Sequence, residues 1–139
     1  MIVRAVEPWD AAAIVVQRGQ DAEGLLDRAM MQDGPTFTIE ADNGRILLIG
    51  GLTEVHRGHA IAWSVLAAGQ HGDTLAAVTD ATRAVIQGSG YRRVSTLVRC
   101  AFRPAHRWAL RLGFEREGIM RAYGPDGSDY AVYAYLGTG

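Results

Sequence analysis

The sequence predicts an α/β domain whose mixed, mostly antiparallel sheet is flanked by helices on both faces. Three observations favour this fold class: a hairpin signal near residue 43, an almost wholly apolar run at residues 59–67, and strand and helix periodicities that alternate after it. Hairpins give antiparallel pairs, whereas a strand–helix–strand unit gives a parallel pair with a helix packed on the sheet. The chain has 139 residues, which suits one core, so we expect a single domain spanning residues 1–139.

The periodicity of apolar residues predicts eleven elements in a continuous series. They are a strand at 2–6, helices at 8–17 and 21–31, strands at 36–40, 45–55 and 59–67, a helix at 73–88, a strand at 93–99, a helix at 104–112, and strands at 114–123 and 130–136. Asn43-Gly44 predicts a tight hairpin turn, because both positions can take positive φ. Gly50-Gly51 predicts a bulge or a close backbone approach. Asp73 predicts an N-cap for the helix that follows it.

The same periodicity predicts which side chains form the core. The residues expected to be buried are Trp63, Leu66, Val78, Val85, Val94, Val98, Trp108, Leu112 and Phe114.

Composition excludes several classes of function. The net charge is −1, so no general basic field attracts nucleic acid, and we do not expect a nucleic-acid partner. The apolar run at 60–68 is too short to span a membrane, and the N-terminus lacks a signal-peptide pattern. Cys100 is the sole cysteine and cannot form an internal disulfide, which favours a reducing cytoplasmic setting. The four histidines show no compact ligand spacing, so we expect no metal.

Several stretches resemble the GNAT superfamily of acyl-CoA-dependent N-acyltransferases. Ile2-Val3-Arg4-Ala5-Val6 followed by Asp10 resembles the first strand and helix start of the family. Ala105 followed by Leu112-Gly113-Phe114 resembles the end of its fourth helix, and the Tyr123-to-Tyr135 hairpin resembles its closing strands. The resemblance implies a mixed sheet with acetyl-CoA as the donor and an amine as the acceptor.

The resemblance also implies where the donor binds. In the family, backbone N–H groups at a helix N-terminus hold the pyrophosphate, and the matching residues here are Gln70, His71, Gly72, Asp73 and Thr74. The pantetheine arm would pair with backbone freed at Val65, Leu66 and Ala67. The carboxylate of Asp73 departs from the family pattern, because it would repel a diphosphate. An ordinary capped helix is the competing interpretation of this stretch.

The catalytic pattern of the family is altered in this chain. The tyrosine that commonly protonates the leaving thiolate is replaced by Ala109, and an asparagine common near the start of that helix is replaced by Phe102. Glu54 and His56 precede the apolar strand and are the candidates for the general base. Their alternative role is that of solvated loop side chains.

Arg103, Arg107 and Arg111 recur at every fourth residue and predict a basic stripe on one helix face. Of these, Arg103 and Arg107 are candidates for the 3′-phosphate of CoA. A nucleic-acid backbone or plain solvent are the other possible neighbours of the stripe.

Residues 91–136 further resemble small GNAT-like proteins encoded by phages and prophages, similar in size to an internal virion protein of short-tailed phages. This resemblance implies an alternative function, that of a non-catalytic virion protein. Its partners would be other virion proteins or a second copy of the chain, and its location would be the host cytoplasm or the particle.

Overall fold

The computed structural model describes residues 1–14 and 34–137, which form one seven-stranded sheet and three helices. The elements in chain order are β1 (Ile2–Arg4), α1 (Asp10–Ala13), β2 (Thr36–Glu40), β3 (Ile46–His56), β4 (His59–Leu66), α2 (Gly72–Gly88), β5 (Arg93–Arg99), α3 (Arg103–Arg111), β6 (Glu115–Met120) and β7 (Tyr130–Leu136). The helix expected at 21–31 and the end of the one expected at 8–17 lie outside the described residues.

The sheet confirms the predicted fold class. Its strand order is β1-β2-β3-β4-β5-β7-β6, and every neighbouring pair is antiparallel except β4 and β5. The parallel ladder contains three residue pairs and ends at Ile61 and Ser95. Beyond this point β4 and β5 no longer pair, and we call the resulting opening the strand split.

Helices cover both faces of the sheet. Side chains of α2 and α3, including Val78, Ile86 and Ala109, join two core clusters with Leu48 and Leu52 of β3. On the opposite face, Ile14 at the end of α1 packs with Ile49 and Val65. Leu48 and Leu52 lie on one face of β3 and Ile49 lies on the other, as the two-residue period of a strand requires.

The predicted core is confirmed for six of its nine residues. Leu66, Val78, Val94, Val98, Leu112 and Phe114 are buried. The prediction is wrong for Trp63, Val85 and Trp108, which are only half-buried. Val85 lies at the margin of the buried stripe of α2, which runs through Val78, Thr82 and Ile86. The two tryptophans border openings that are described below.

The hairpin turn differs from the predicted one at Asn43. Gly44 has a φ of 85°, but no other described residue of this turn has positive φ. The N–H of Gly44 donates to the carbonyl of Ala41, and the N–H of Ala41 donates to the carbonyl of Arg45, both at 2.9 Å. The turn therefore needs only one left-handed residue, as in a three-residue hairpin loop closed by glycine.

Gly50 and Gly51 pair regularly in the sheet, so the predicted bulge is wrong at this position. The irregularities in β3 pairing lie elsewhere, between Ile39 and Glu40 on β2 and within the last residues of β3. The close approach is made by a side chain instead, because a Cβ on Gly51 would lie 2.6 Å from Cζ2 of Trp63. Glycine thus makes room for the indole ring on the neighbouring strand.

Candidate functional site

The strand split opens into a groove between the sheet and the two long helices. Leu66 at the end of β4, Leu75 in α2 and Arg107 in α3 lie on three of its sides, and the groove encloses about 220 Å³. The remaining lining residues are Ser64, Gln70, Pro104, Ala105, Trp108 and Arg111. Because paired strands would close this space, the early end of the β4–β5 ladder is what creates the groove.

The loop leading to α2 forms one end of the groove. Gly69 and Gly72 both have positive φ, at 77° and 60°, which turns the chain sharply into the helix. The N-cap residue is His71, whose side chain makes no capping hydrogen bond; its Nδ1 lies 3.0 Å from the carbonyl of Gly69 instead. Asp73 stands in the first turn, so its predicted role as N-cap is wrong. The first-turn N–H groups, from Gly72 onward, thus point out of the helix without a side-chain cap.

Gln70 lines the groove, and its side-chain amide is anchored to the backbone. Its side-chain Nε2 donates to the carbonyls of Leu47, at 2.6 Å, and Ala67, at 3.3 Å. These two bonds fix the orientation of the amide, because both partners are acceptors. Its Oε1 is buried and has no hydrogen-bond partner among the described residues. A buried acceptor without a donor is costly, and the two bonds that Nε2 donates to Leu47 and Ala67 offset that cost.

The backbone at the end of β4 is partly used by the sheet. The N–H of Ala67 donates to the carbonyl of Leu47 at 2.9 Å, and Val65 is paired with Ile49 of β3. The expectation that Ala67 offers a freed N–H to the donor is therefore wrong. Of the three residues predicted to bind the donor here, Leu66 lines the groove.

The basic stripe is divided by the geometry of α3. Arg107 and Arg111 line the groove, whereas Arg103 is exposed and does not. The backbone carbonyl of Arg111 accepts a hydrogen bond from the guanidinium of Arg83, which ties α2 to α3. Two cations thus border the opening opposite Leu75 of α2, and paired guanidinium groups attract phosphate groups. The spacing of four residues identified the stripe, but only packing shows which arginines face the groove.

An apolar cavity lies deeper, beneath the strand split. It has a volume of about 70 Å³ and is bordered by Ala62 on β4, Thr96 on β5, Ile86 on α2 and Ala109 on α3. It shares Ser64, Ala105 and Trp108 with the groove, so the two spaces lie side by side. Nothing in the sequence pattern alone indicated this cavity, because it depends on where α3 rests across the sheet.

The structure does not bring the two predicted general bases to the groove. Glu54 pairs with Ala60 near the start of β4, and its Oε1 accepts a hydrogen bond from the hydroxyl of Tyr91 at 3.1 Å. Burial and this hydrogen bond raise the pKa of Tyr91. The exposed ring of His56 lies against a neighbouring carbonyl and against His59. At ~3.3 Å per residue, the start of β4 is about 20 Å from its groove end.

His59 is a titratable residue beside the β4–β5 ladder that the sequence did not single out. Its Nε2 lies 2.8 Å from Oγ of Ser95, which is buried. Burial lowers the pKa of His59, and the nearby charges of Arg93 and His56 lower it further. The lowered pKa favours the neutral imidazole.

Two further kinds of feature are absent from the part of the chain that the structure describes. Across residues 1–14 and 34–137, no group of three His, Cys, Asp or Glu side chains could hold a metal ion. None of the described helices is long and apolar enough to cross a membrane.

The chain is similar to solved acetyltransferase structures in shape, although their sequences differ widely. No protein-family model and no curated protein matches the sequence. A protein described provisionally as a phosphinothricin N-acetyltransferase superposes with a TM-score of 0.76 at 15% identity, over 99% of both chains. A GNAT-family acetyltransferase from Streptococcus pneumoniae gives 0.68 at 18% identity, over 97% of this chain and 98% of that one. A variant of spermidine N-acetyltransferase SpeG from Vibrio cholerae gives 0.69 at 14% identity, over 98% and 95%.

At these identities the likeness defines the fold and not the chemistry. The protein has the GNAT fold, with a mixed sheet that opens between its two central parallel strands.

Proposed function

We propose that this protein binds an acyl-CoA in the groove and transfers its acyl group to an amine. The observation that carries the proposal is the strand split, whose groove is cationic at its outer end and continues into an apolar cavity. A molecule with a phosphate at one end and a thioester at the other matches this order of environments. The similar solved structures are described as N-acetyltransferases, which supports the same class of reaction.

The residues of the groove fit the parts of such a donor. Arg107 and Arg111 would hold phosphate oxygens, assisted by the N–H groups in the first turn of α2. Gln70 would contact the pantetheine arm, with its amide held in place by the carbonyls of Leu47 and Ala67. Asp73 opposes the phosphates, and being exposed it does so through a field that salt screens.

The transfer requires two proton movements. The amine must lose a proton as its nitrogen attacks the thioester carbonyl, and the departing thiolate must gain one as the carbon–sulfur bond breaks. Glu54 and His56 are the predicted acceptors for the first proton, and His59 is a further candidate. All three lie near the start of β4 and outside the groove, so the proton would have to reach them through water. At Ala109 the chain offers no donor for the second, so that proton would come from water.

Ala109 also favours a second candidate function. Ala109 is buried and carries no proton donor, as expected of a protein that keeps the fold without the chemistry. The resemblance to phage proteins then suggests a virion component that acts through contacts with other virion proteins or with its own copies. The two candidates differ in whether the groove binds CoA.

Calorimetric titration with CoA tests the proposal. We expect saturable binding by the wild type, and about a tenfold loss for Arg107→Gln, because a charge-assisted hydrogen bond contributes roughly 1.5 kcal/mol. Arg103→Gln is the matched control, since it removes the same charge from the same helix outside the groove. Absence of CoA binding up to millimolar concentrations would overturn the proposal and leave the non-catalytic alternative.

Asp73→Gly provides a test in the opposite direction. If phosphates approach the first turn of α2, removing this carboxylate should tighten CoA binding, and the gain should shrink as salt is added. An unchanged affinity at low salt would show that the phosphates bind away from α2.

A further inference from the structure

We propose that the apolar cavity receives the acyl chain of the donor, and that the protein prefers a butyryl-type donor to an acetyl donor. This inference rests on the proposed function, because it concerns the inner end of the same site. It names the class of donor, a thioester with about three carbons beyond its carbonyl.

The position of the cavity is the first argument. Ala62 and Thr96 border it immediately beyond the last paired residues of β4 and β5, Ile61 and Ser95. The groove ends at this point, and Ser64 lines both spaces. A thioester that enters along the groove therefore has the cavity directly ahead of it, beneath α2 and α3.

The chemistry of the walls is the second argument. The polar side chains around the cavity already donate within the protein: Oγ1 of Thr82 to the carbonyl of Val78 at 2.8 Å, and Oγ1 of Thr96 to the carbonyl of Ala62 at 3.0 Å. The indole N–H of Trp108 donates to Oγ1 of Thr79 at 3.0 Å. Such walls give water few hydrogen bonds and favour an apolar occupant.

The size of the cavity is the third argument. A dry cavity of ~150 Å³ holds a benzene molecule, with its six carbons, so a cavity of half that volume holds roughly three. The measured volume is about 70 Å³. An acetyl group has one carbon beyond its carbonyl and would leave most of this space empty, whereas a butyryl group has three.

Ala109 keeps the cavity open. Its side chain is buried and lines the cavity, and it stands in the helix that forms the cavity roof. Replacing it with leucine adds three carbons, about the same content that we assign to the acyl chain. The leucine side chain should therefore fill the space that we assign to the acyl chain.

Titration of the full chain with free CoA and with acetyl-, propionyl-, butyryl- and octanoyl-CoA tests the inference. Each buried methylene should tighten binding about fourfold, so butyryl-CoA should bind about 15-fold more tightly than acetyl-CoA. Octanoyl-CoA should lose this gain, because its chain exceeds the cavity.

Ala109→Leu should reduce the ratio of butyryl-CoA to acetyl-CoA affinity to near one while leaving the affinity for free CoA largely unchanged. Leu110→Ala is the matched control, since its neighbouring side chain is exposed and does not line the cavity. Thermal melting establishes that each variant is folded, and if Ala109→Leu is not, the wild-type chain-length series still decides the question.

The outcomes separate this inference from the proposed function. If neither free CoA nor any thioester binds, the proposed function fails. If CoA and acetyl-CoA bind but affinity does not rise from acetyl to butyryl, the proposed function stands and the acyl-chain cavity is refuted.

Discussion

Asp10 is a charged side chain that the fold buries completely. Its carboxylate accepts hydrogen bonds from the Arg4 guanidinium at 2.9 and 3.0 Å, from the backbone N–H of Glu7 at 2.8 Å, and from the Thr38 hydroxyl at 2.8 Å. Burial raises the pKa of Asp10, but these donors together outweigh it and hold the pKa below its ordinary value. The network joins α1 to β1 and β2, so one carboxylate orients the first helix against the edge of the sheet.

Asp10→Asn should destabilise the protein by ~1–3 kcal/mol at pH 7, the range for leaving buried hydrogen-bonding groups unpaired, because Arg4 keeps its ion pair with Glu40. The amide has one acceptor oxygen in place of two, and its NH₂ group would face donors. Denaturant unfolding measures the free energy, and Asp80→Asn on the exposed side of α2 is the control. A loss below about 1 kcal/mol for Asp10→Asn would contradict the role of the network.

The depressed pKa of Asp10 also predicts a pH dependence of stability. The contribution is fully present above the unfolded-state pKa of ~3.9 and is lost as the pH falls below it toward the folded-state value. The free energy of unfolding of the wild type should therefore fall between about pH 5 and pH 3. The Asp10→Asn variant should show a shallower fall over the same range, because it has no carboxylate to protonate at this position.

The sequence predicted elements better than it predicted the contacts between them. The apolar run of β4 and the helical spacing of α2 depend on local periodicity, and the structure has both. The roles of Asp73 and Trp108 depend on how the chain enters a helix and on where that helix rests, which periodicity does not encode. Periodicity does not encode the cavity beside Ala109 either, because the cavity forms only when the helices pack on the sheet.

The helix α3 is held in place at its middle by Trp108. The indole packs against two core clusters, and its N–H donates to Thr79 of α2, whose hydroxyl in turn donates to the carbonyl of Leu75 at 2.7 Å. Because the ring is half-buried, it contributes less than a fully buried aromatic side chain would.

Trp108→Ala should therefore destabilise the protein by ~2–3 kcal/mol, below the usual range for a fully buried ring. Trp108→Phe should cost about 1 kcal/mol, since it keeps most of the apolar contact and loses one hydrogen bond. Denaturant unfolding of both variants, with Leu110→Ala as the exposed control, measures the difference. If Trp108→Phe and Trp108→Ala lower the free energy of unfolding equally, then the hydrogen bond to Thr79, and not the packing, holds α3.

At the scale of the whole molecule, the sheet consists of two parts joined by a short ladder. Strands β1 to β4 come from residues 2–66 and strands β5 to β7 from residues 93–136, so each part is built from one continuous portion of the chain. Within each part the strands are antiparallel, and every ladder except the short one of β1 with β2 contains at least five residue pairs. Between the parts, the sheet contributes three residue pairs, and α2 packs across the junction.

This short ladder has a consequence for cooperativity. Regions that share few backbone bonds can open as separate units in the native state, each with its own opening free energy. Native-state hydrogen exchange should therefore divide the slowest amides into two groups, one in β3 and β4 and one in β5 and β7. A single opening free energy for Leu48 and Ala134 would show that the helices alone unite the two groups. If the groups are distinct, the strand split is both the place where a ligand would enter and the boundary between two separately unfolding parts of the domain.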